Sequence, residues 1–293
     1  MFKTRKKSKK EKENVKQTVA LRPPGKFDVV VGMSSDVGCV RELNEDSARF
    51  VQPDDPELLR TKGVLVVVAD GMGGHSAGEI ASGLAVDVVS KVYYQDDGDP
   101  RSALEQAFHD ANKAIFQAAE KDASKNGMGT TCTALVLQDG TAISAHVGDS
   151  RLYLVREGSI YLMTEDHSAV MEMVKAGLIT LDQARHHPEK NVILRAMGSH
   201  AEVEVTTWQE PFPVKAGDRF LLCSDGLYDL VEDDEIKQIV MLSAPQTACQ
   251  NLIALAKERG GHDNITVGIV GLNSEGEANE SPVPETRTAE TIQ

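Results

Sequence analysis

The stretch "VLVVVADGMGGH", Val64 to His75, carries five consecutive aliphatic residues through Ala69 into Asp70 and then into glycines. The aliphatic run reads as a buried strand. Asp-Gly is a common hairpin dipeptide, and a hairpin requires a second strand at once. The next segment is instead "SAGEIASGLAVDVVSKVYY", with Ile80, Leu84, Val88 and Val92, and Ala81, Ala85 and Val89, at helical spacing. The carboxylate therefore stands where a central strand gives way to a helix, a location that favours a ligand site over a simple turn.

The feature recurs. "RFLLCSDGLYDL" (219–230) is an apolar run, a small residue, Asp225-Gly226 and a helix-like segment. "ISAHVGDSR" ends a strand on Asp149, "GGHDNITVGIV" begins one with Asp263-Asn264, and "VRELNEDSARFV" places Glu45-Asp46 at the start of another. One Asp at a strand end is ordinarily a cap or turn residue. Five such sites change the weighing: if their strands are neighbours, their ends can bring carboxylates into one cleft, where they repel unless a counter-charge is supplied. Oxygen ligands without a Cys or multi-His cluster point to Mg²⁺ or Mn²⁺ rather than zinc. Four or five acids exceed the needs of one such ion, so a two-metal site fits better. Glycine beside an acid lets backbone carbonyls or substrate come close. Arg41, four residues before Glu45, is a candidate phosphate clamp; its alternative is a salt bridge to Glu42 or Asp46.

Charge divides the chain. Residues 1–17 carry a net +6, leaving −20 for the rest of a chain whose formal charge is −14. An acidic body argues against general nucleic-acid binding. The basic, then Pro-containing segment 1–25 reads as a disordered arm, either a solubilising tail or an attraction to an anionic membrane surface or acidic partner. Residues 272–293 read as a disordered acidic tail. No apolar run approaches a membrane span, and no apolar segment succeeds the basic start as in a signal peptide, so the expected location is the cytoplasm. Cys39, Cys132, Cys223 and Cys249 match no zinc or CxxC spacing. Three of them lie in apolar contexts and read as buried thiols.

The remaining body, 26–271, is expected to be one domain. Strands are expected over 27–33, 46–51, 63–69, 130–137, 141–148, 151–156, 159–163, 203–208, 218–224 and 264–271, with hairpin turns at Asp139-Gly140 and Glu157-Gly158. Helices are expected over 76–94, 101–122, 233–242 and 245–259, with a helical insertion at about 167–188. Hairpins dominate and helices come in pairs, which predicts an α+β fold, a sandwich of antiparallel sheets covered by helices.

Taken in order, "RELNEDS", "VVADGMGGHSAGEIAS", "MGTTCTAL", "AHVGDSRLY", "MTEDHS", "NVILRAMG", "LLCSDGLYDLV" and "GHDNITVGIV" resemble the PPM-type (type 2C) metal-dependent protein serine/threonine phosphatases, of the bacterial kind. The resemblance covers about residues 27–271. It implies a four-layer αββα sandwich and the hydrolysis of phosphoserine and phosphothreonine by a water between two Mg²⁺ or Mn²⁺ ions. It implies that Asp70 bridges the ions, that the Gly71 carbonyl binds one, and that Asp225 and Asp263 complete the first site. Glu45 and Asp46 lie at the second, Asp149 holds a third, weaker ion, and Arg41 binds the phosphate. Asn264 supports Asp263 or an ion-bound water, and Thr130 and Thr131 begin a core strand. The partners implied are phosphorylated proteins, with serine/threonine kinases and their substrates among them, for a monomeric enzyme without nucleic acid. A Cys-based phosphatase places Arg six residues after its Cys; those positions hold Glu45, Gln138, Asp229 and Leu255.

Met72 departs from the family, whose eukaryotic members have a His there as the proposed acid for the leaving group. His75, His167 and a metal-bound water are the alternatives. Residues 168–198 match the family's flap, whose Met171 and Met173 either contact a protein substrate or pack the flap on its own body. Two readings of other classes compete: an inert module that recognises phosphoproteins, and a two-metal hydrolase of small phosphoesters or nucleic acid. The presence of Asp46, Asp70, Asp225 and Asp263 disfavours the first, and the acidic body the nucleic-acid form of the second.

Overall fold

The computed structural model describes residues 20–21, 27–73 and 77–274. Its elements run β1 (Ala20–Leu21), β2 (Phe27–Asp36), β3 (Asp46–Val51), α1 (Pro56–Lys62), β4 (Val64–Met72), α2 (Ala77–Gln95), α3 (Pro100–Lys121), β5 (Gly129–Thr130), β6 (Cys132–Gln138), β7 (Thr141–Val147), β8 (Arg151–Arg156), β9 (Ser159–Leu162), α4 (Ala169–Lys175), α5 (Leu181–Arg185), β10 (Thr206–Thr207), β11 (Phe212–Pro213), β12 (Arg219–Cys223), α6 (Asp225–Tyr228), α7 (Asp233–Leu242), α8 (Pro245–Glu258) and β13 (Ile265–Ser274). One sheet has the order β1-β2-β13-β12-β8-β9, the other β10-β7-β6-β4-β3, and the pairs are antiparallel.

The aliphatic run of β4 alternates between two cores. Leu65, Val67 and Ala69 pack outward with Ala81, Ala85 and Val89 of α2 and Leu104, Phe108 and Ile115 of α3. Val64, Val66 and Val68 point inward to Leu152, Leu154, Phe220, Leu222 and Val270 of the other sheet. The far face of that sheet buries Leu221, Val267 and Ile269 under Ile236 and Val240 of α7 and Leu252 and Ala256 of α8. Four layers result, helix–sheet–sheet–helix, as the sequence predicts. Small residues on α2 let it approach the sheet closely. Asp99 starts α3 by accepting the Arg101 and Ser102 amides, with Pro100 in the first turn.

Both expected hairpin turns form. Asp139 and Gly140 (φ 45° and 75°), and Glu157 and Gly158 (φ 52° and 78°), are left-handed at both central positions, the twist that matches antiparallel strands. Other expectations need correction. The acidic tail does not start at 272: β13 continues to Ser274, because Leu272 is buried between the sheets and β2 extends opposite it. Ala20 and Leu21, expected in the disordered arm, pair with Val30 and Val29 on the edge of β2. The rest of the arm, the tail beyond Ser274, and His75 lie outside the described residues. The helical insertion at 167–188 consists of two short helices, divided at Gly177 with φ +69°. The strand expected over 203–208 shrinks to Thr206–Thr207, where β7 offers only a short free edge. Helix α1 has no counterpart among the expected elements, and α6 falls at the helix-like segment expected after β12, beginning at Asp225 itself. Cys132, Cys223 and Cys249 are buried thiols, as expected, and Cys39 is exposed.

Candidate metal centre

The acids meet at one end of the two sheets. Asp46, the first residue of β3, is the register partner of Asp70 near the end of β4. By alternation Asp70 falls on the inward face, with Val64, Val66 and Val68. Across the gap, β12 ends and Asp225 begins α6, Asp263 precedes β13, and Asp149 lies between β7 and β8. The sheets are joined at this point by the Ser224 hydroxyl, which donates to Asp46 Oδ2 at 2.8 Å. The Thr131 hydroxyl accepts the Asp70 amide at 2.9 Å, and the Thr130 hydroxyl donates to the Asp70 carbonyl at 2.8 Å. The two threonines thus fix the backbone of Asp70 from a core strand. Gly71 is required by proximity: a Cβ there would lie 2.2 Å from the Gly78 carbonyl oxygen and 2.5 Å from that of Glu45.

Electrostatically the cluster is frustrated. Burial, then Asp46, Asp225, Asp149 and Asp263, hold the Asp70 carboxyl well above its ordinary range. Asp225 is raised in the same way, by burial and then by Asp149, Asp229, Asp263 and Asp46. Burial pushes Asp46 to about 6 and Asp149 to about 7. Burial also raises Glu45. Three carboxylate oxygens, Glu45 Oε1, Asp46 Oδ1 and Asp225 Oδ1, are buried without a hydrogen-bond partner. Orphaned buried acceptors are rare and costly. Among the described residues, no three His, Cys, Asp or Glu side chains form a ready-made metal cage. The donor set nonetheless fits a hard divalent cation: it is all oxygen, it is mutually repulsive, and its lone pairs lack partners.

Asp263 differs from the rest. Its Oδ2 accepts from Arg41 at 2.7 Å and its Oδ1 from the Asn264 amide at 2.8 Å. The salt-bridge partner of Arg41 is therefore neither Glu42 nor Asp46, because the loop before β3 turns the guanidinium toward β13. Asn264 anchors that loop: its Oδ1 accepts the Glu45 amide and its Nδ2 donates to the Val37 and Leu43 carbonyls. Its side chain braces Glu45, not Asp263.

His167 is removed from the candidates for general acid. Its Nδ1 accepts the Gly148 amide at 3.1 Å and its Nε2 faces the Thr206 hydroxyl at 3.0 Å. Burial and the neighbouring His146 push it down to about 3, so at neutral pH it is a neutral imidazole and not the imidazolium a general acid needs. Met72, a thioether beside Gly129, carries no proton to donate. Residues that the sequence reading passed over are Ser224, Arg151 and Tyr228. Arg151 pairs with Asp166 at 2.7 Å and lies 3.7 Å over the Tyr228 ring, whose hydroxyl donates to the Asp149 carbonyl. Met171 of the flap lines a cavity of about 170 Å³ with Arg151, Lys190 and Tyr228.

The profile of the protein phosphatase 2C family matches residues 42–256. The chain belongs to the protein phosphatase 2C family. It is an enzyme, a metal-dependent serine/threonine phosphoprotein phosphatase. The serine/threonine phosphatase stp of Listeria innocua is 38% identical over 247 residues, covering 82% of this chain and 94% of that protein. The Mycobacterium tuberculosis phosphatase PstP is 39% identical over 242 residues, 81% of this chain but 44% of that longer protein. The crystal structure of the M. tuberculosis enzyme PstP/Ppp superposes with a TM-score of 0.74 at 38% identity, over 84% of this chain and 99% of that one. A further PstP catalytic domain, solved in complex with two manganese ions, gives 0.71 at 35% identity over 84% and 99%. These matches agree with the layered fold. No described helix is long and apolar enough to cross a membrane.

Proposed function

We propose that this phosphatase works through a binuclear Mg²⁺ or Mn²⁺ centre at the joined sheet ends. Asp70 would serve both ions, with the Gly71 carbonyl beside it. Asp225 and Asp263 serve the first ion, Glu45 and Asp46 the second, and Asp149 a third, weaker one. The observation that carries this reading is the set of buried, unpartnered carboxylate oxygens on Glu45, Asp46 and Asp225, around Asp70 and Asp225, whose burial and acidic neighbours both work against their charge. The manganese-bound PstP domain supports the count of two.

When bound, the ions acidify a water for in-line attack on phosphorus and offset charge on the phosphoryl oxygens. The chain's own residues do the rest. Thr130 and Thr131 hold Asp70 in place, and Ser224 fixes the Asp46 carboxylate so that Oδ1 stays free. Arg41, half exposed at the cleft, exchanges Asp263 for the substrate phosphate and stabilises its equatorial charge. The proton for the leaving group comes from His75 or from a site water, since Met72 carries none and the His167 ring is engaged by Gly148 and Thr206. The chain acts as a cytoplasmic monomer on phosphorylated proteins, opposing serine/threonine kinases. The basic arm and the acidic tail beyond Ser274 are appendages to a single phosphatase domain.

The test is hydrolysis of a phosphothreonine peptide with Mn²⁺, with EDTA, and with Asp225→Ala. Activity should disappear with EDTA and fall by more than about 100-fold in the variant, beyond what outer partners of a metal cost. Undiminished turnover in EDTA refutes the centre. Faster cleavage of nucleotides than of phosphopeptides refutes the protein substrate, and phosphopeptide binding without turnover indicates an inert recognition module.

A further inference from the structure

The loop at 148–150 carries Asp149 between β7 and β8 and has no regular structure of its own. Side chains from other elements hold it. Gly148 is left-handed (φ +109°), and a Cβ there would lie 2.6 Å from Thr131 Cβ. The Tyr228 hydroxyl donates to the Asp149 carbonyl at 3.1 Å and the Thr133 hydroxyl to the Ser150 carbonyl at 3.0 Å. The Thr131 and Ser150 hydroxyls lie 2.7 Å apart. The Gly148 amide donates to His167 Nδ1 at 3.1 Å, and the His167 amide donates back to the Gly148 carbonyl at 2.8 Å.

That pair of bonds assigns the histidine's protonation. An amide hydrogen aimed at Nδ1 needs a lone pair there, so the ring proton is on Nε2, directed at the Thr206 hydroxyl. The His167 carbonyl accepts the Leu194 amide from the far side of the flap at 2.8 Å. One neutral imidazole therefore joins the root of the flap, β10 and the loop that carries Asp149.

We propose that His167 is a positioning residue of the phosphatase reaction: its Nδ1 lone pair holds the Gly148 amide and so sets the direction in which Asp149 faces the carboxylate cluster. The inference rests on the proposed function, in which Asp149 serves the weaker ion. Without the acceptor, the Gly148 amide must turn to find another, and Asp149, the next residue, turns with it.

Three variants test this. His167→Leu keeps the bulk and removes the acceptor, His167→Asn places an amide oxygen near the position of Nδ1, and Thr206→Val removes only the Nε2 partner. Mn²⁺ binding is measured by titration calorimetry on each folded protein, alongside kcat and KM for a phosphothreonine peptide across Mn²⁺ concentrations. His167→Leu should weaken the weakest Mn²⁺ step by about 10–100-fold and lower kcat at fixed Mn²⁺ with KM unchanged, while His167→Asn returns to within about 3-fold of the parent. Parent-like Mn²⁺ binding by His167→Leu overturns the inference, as does a His167→Asn protein as impaired as His167→Leu. Thr206→Val leaves the Nδ1 acceptor in place and should bind Mn²⁺ like the parent. If His167→Leu does not fold, His167→Gln, whose amide group reaches the position of Nε2 and leaves that of Nδ1 without an acceptor, is measured in its place, and parent-like Mn²⁺ binding by it overturns the inference. A parent protein that binds Mn²⁺ but cleaves no phosphopeptide refutes the proposed function instead, and the calorimetry still judges His167.

Discussion

His146 makes the acid stability of this fold predictable. Its ring is buried in β7, its Nδ1 lies 2.8 Å from the Thr133 hydroxyl, and its Nε2 is buried without a partner. The Thr133 hydrogen is directed to the Ser150 carbonyl, so His146 donates from Nδ1, and burial keeps the ring neutral. The charged groups acting on it are Arg195 and, when protonated, His167, whose ring centroid lies 4.8 Å away. Burial is the larger cause and pushes His146 down to about 4 from an ordinary 6.5. The folded state therefore binds fewer protons than the unfolded chain between those values. The stability contributed by the neutral ring is complete above pH 6.5 and declines as pH falls toward 4. At 1.36 kcal/mol per unit, acidification from pH 8 to pH 5 removes about 2 kcal/mol through this one residue. His146→Asn keeps a donor for Thr133 but cannot titrate. Urea unfolding in EDTA at pH 5, 6, 7 and 8 should show the gap between parent and variant narrowing by about 2 kcal/mol at the acid end. The carboxylate cluster titrates alike in both proteins and cancels in the comparison. Parallel curves would mean that His146 is not a buried, neutral ring.

The same contacts set other outcomes. Ser224→Ala removes the donor to Asp46 Oδ2 and should raise the Mn²⁺ concentration for half-maximal activity about 10–100-fold, measured by Mn²⁺ titration of phosphopeptide turnover. Arg41→Ala should raise KM for a phosphopeptide while changing the unfolding free energy by less than about 1 kcal/mol, since its bridge to Asp263 is half exposed; unchanged KM would exclude Arg41 from phosphate binding. Mn²⁺ at about 100 times its dissociation constant should stabilise the protein by about 2.7 kcal/mol, read as a rise in melting temperature that EDTA abolishes. Gly226→Ala, whose Cβ would lie 2.1 Å from the Asn264 carbonyl oxygen, should destabilise by about 3 kcal/mol or more in urea unfolding, because both sides of the clash are backbone.

The strands and long helices were legible because their patterning was strong, and the acids because each interrupts an apolar run. Asp46, Asp70, Asp149, Asp225 and Asp263 do come to one end of the sandwich. What the sequence hid was pairing across long separations. Nothing near Arg41 announces Asp263, 222 residues away. Asn264 looked like a helper of its neighbour, but its side chain is spent on loop carbonyls and the Glu45 amide. His167 carried the right chemistry for an acid, and only its bonds to Gly148 and Thr206 exclude that role. The short helix α1 was missed because seven residues are too few to display a period.

The alternation along β4 has a consequence for how such chains can diverge. Each residue from Val64 to Ala69 is committed to one of two cores, and Asp70 inherits its side from that count. Inserting or deleting a single residue in this stretch would exchange the two sets of side chains and turn the carboxylate toward the helices. Length changes there can be absorbed only in pairs. Relatives that keep the activity should therefore preserve the parity of this strand even where every aliphatic residue in it has been exchanged for another.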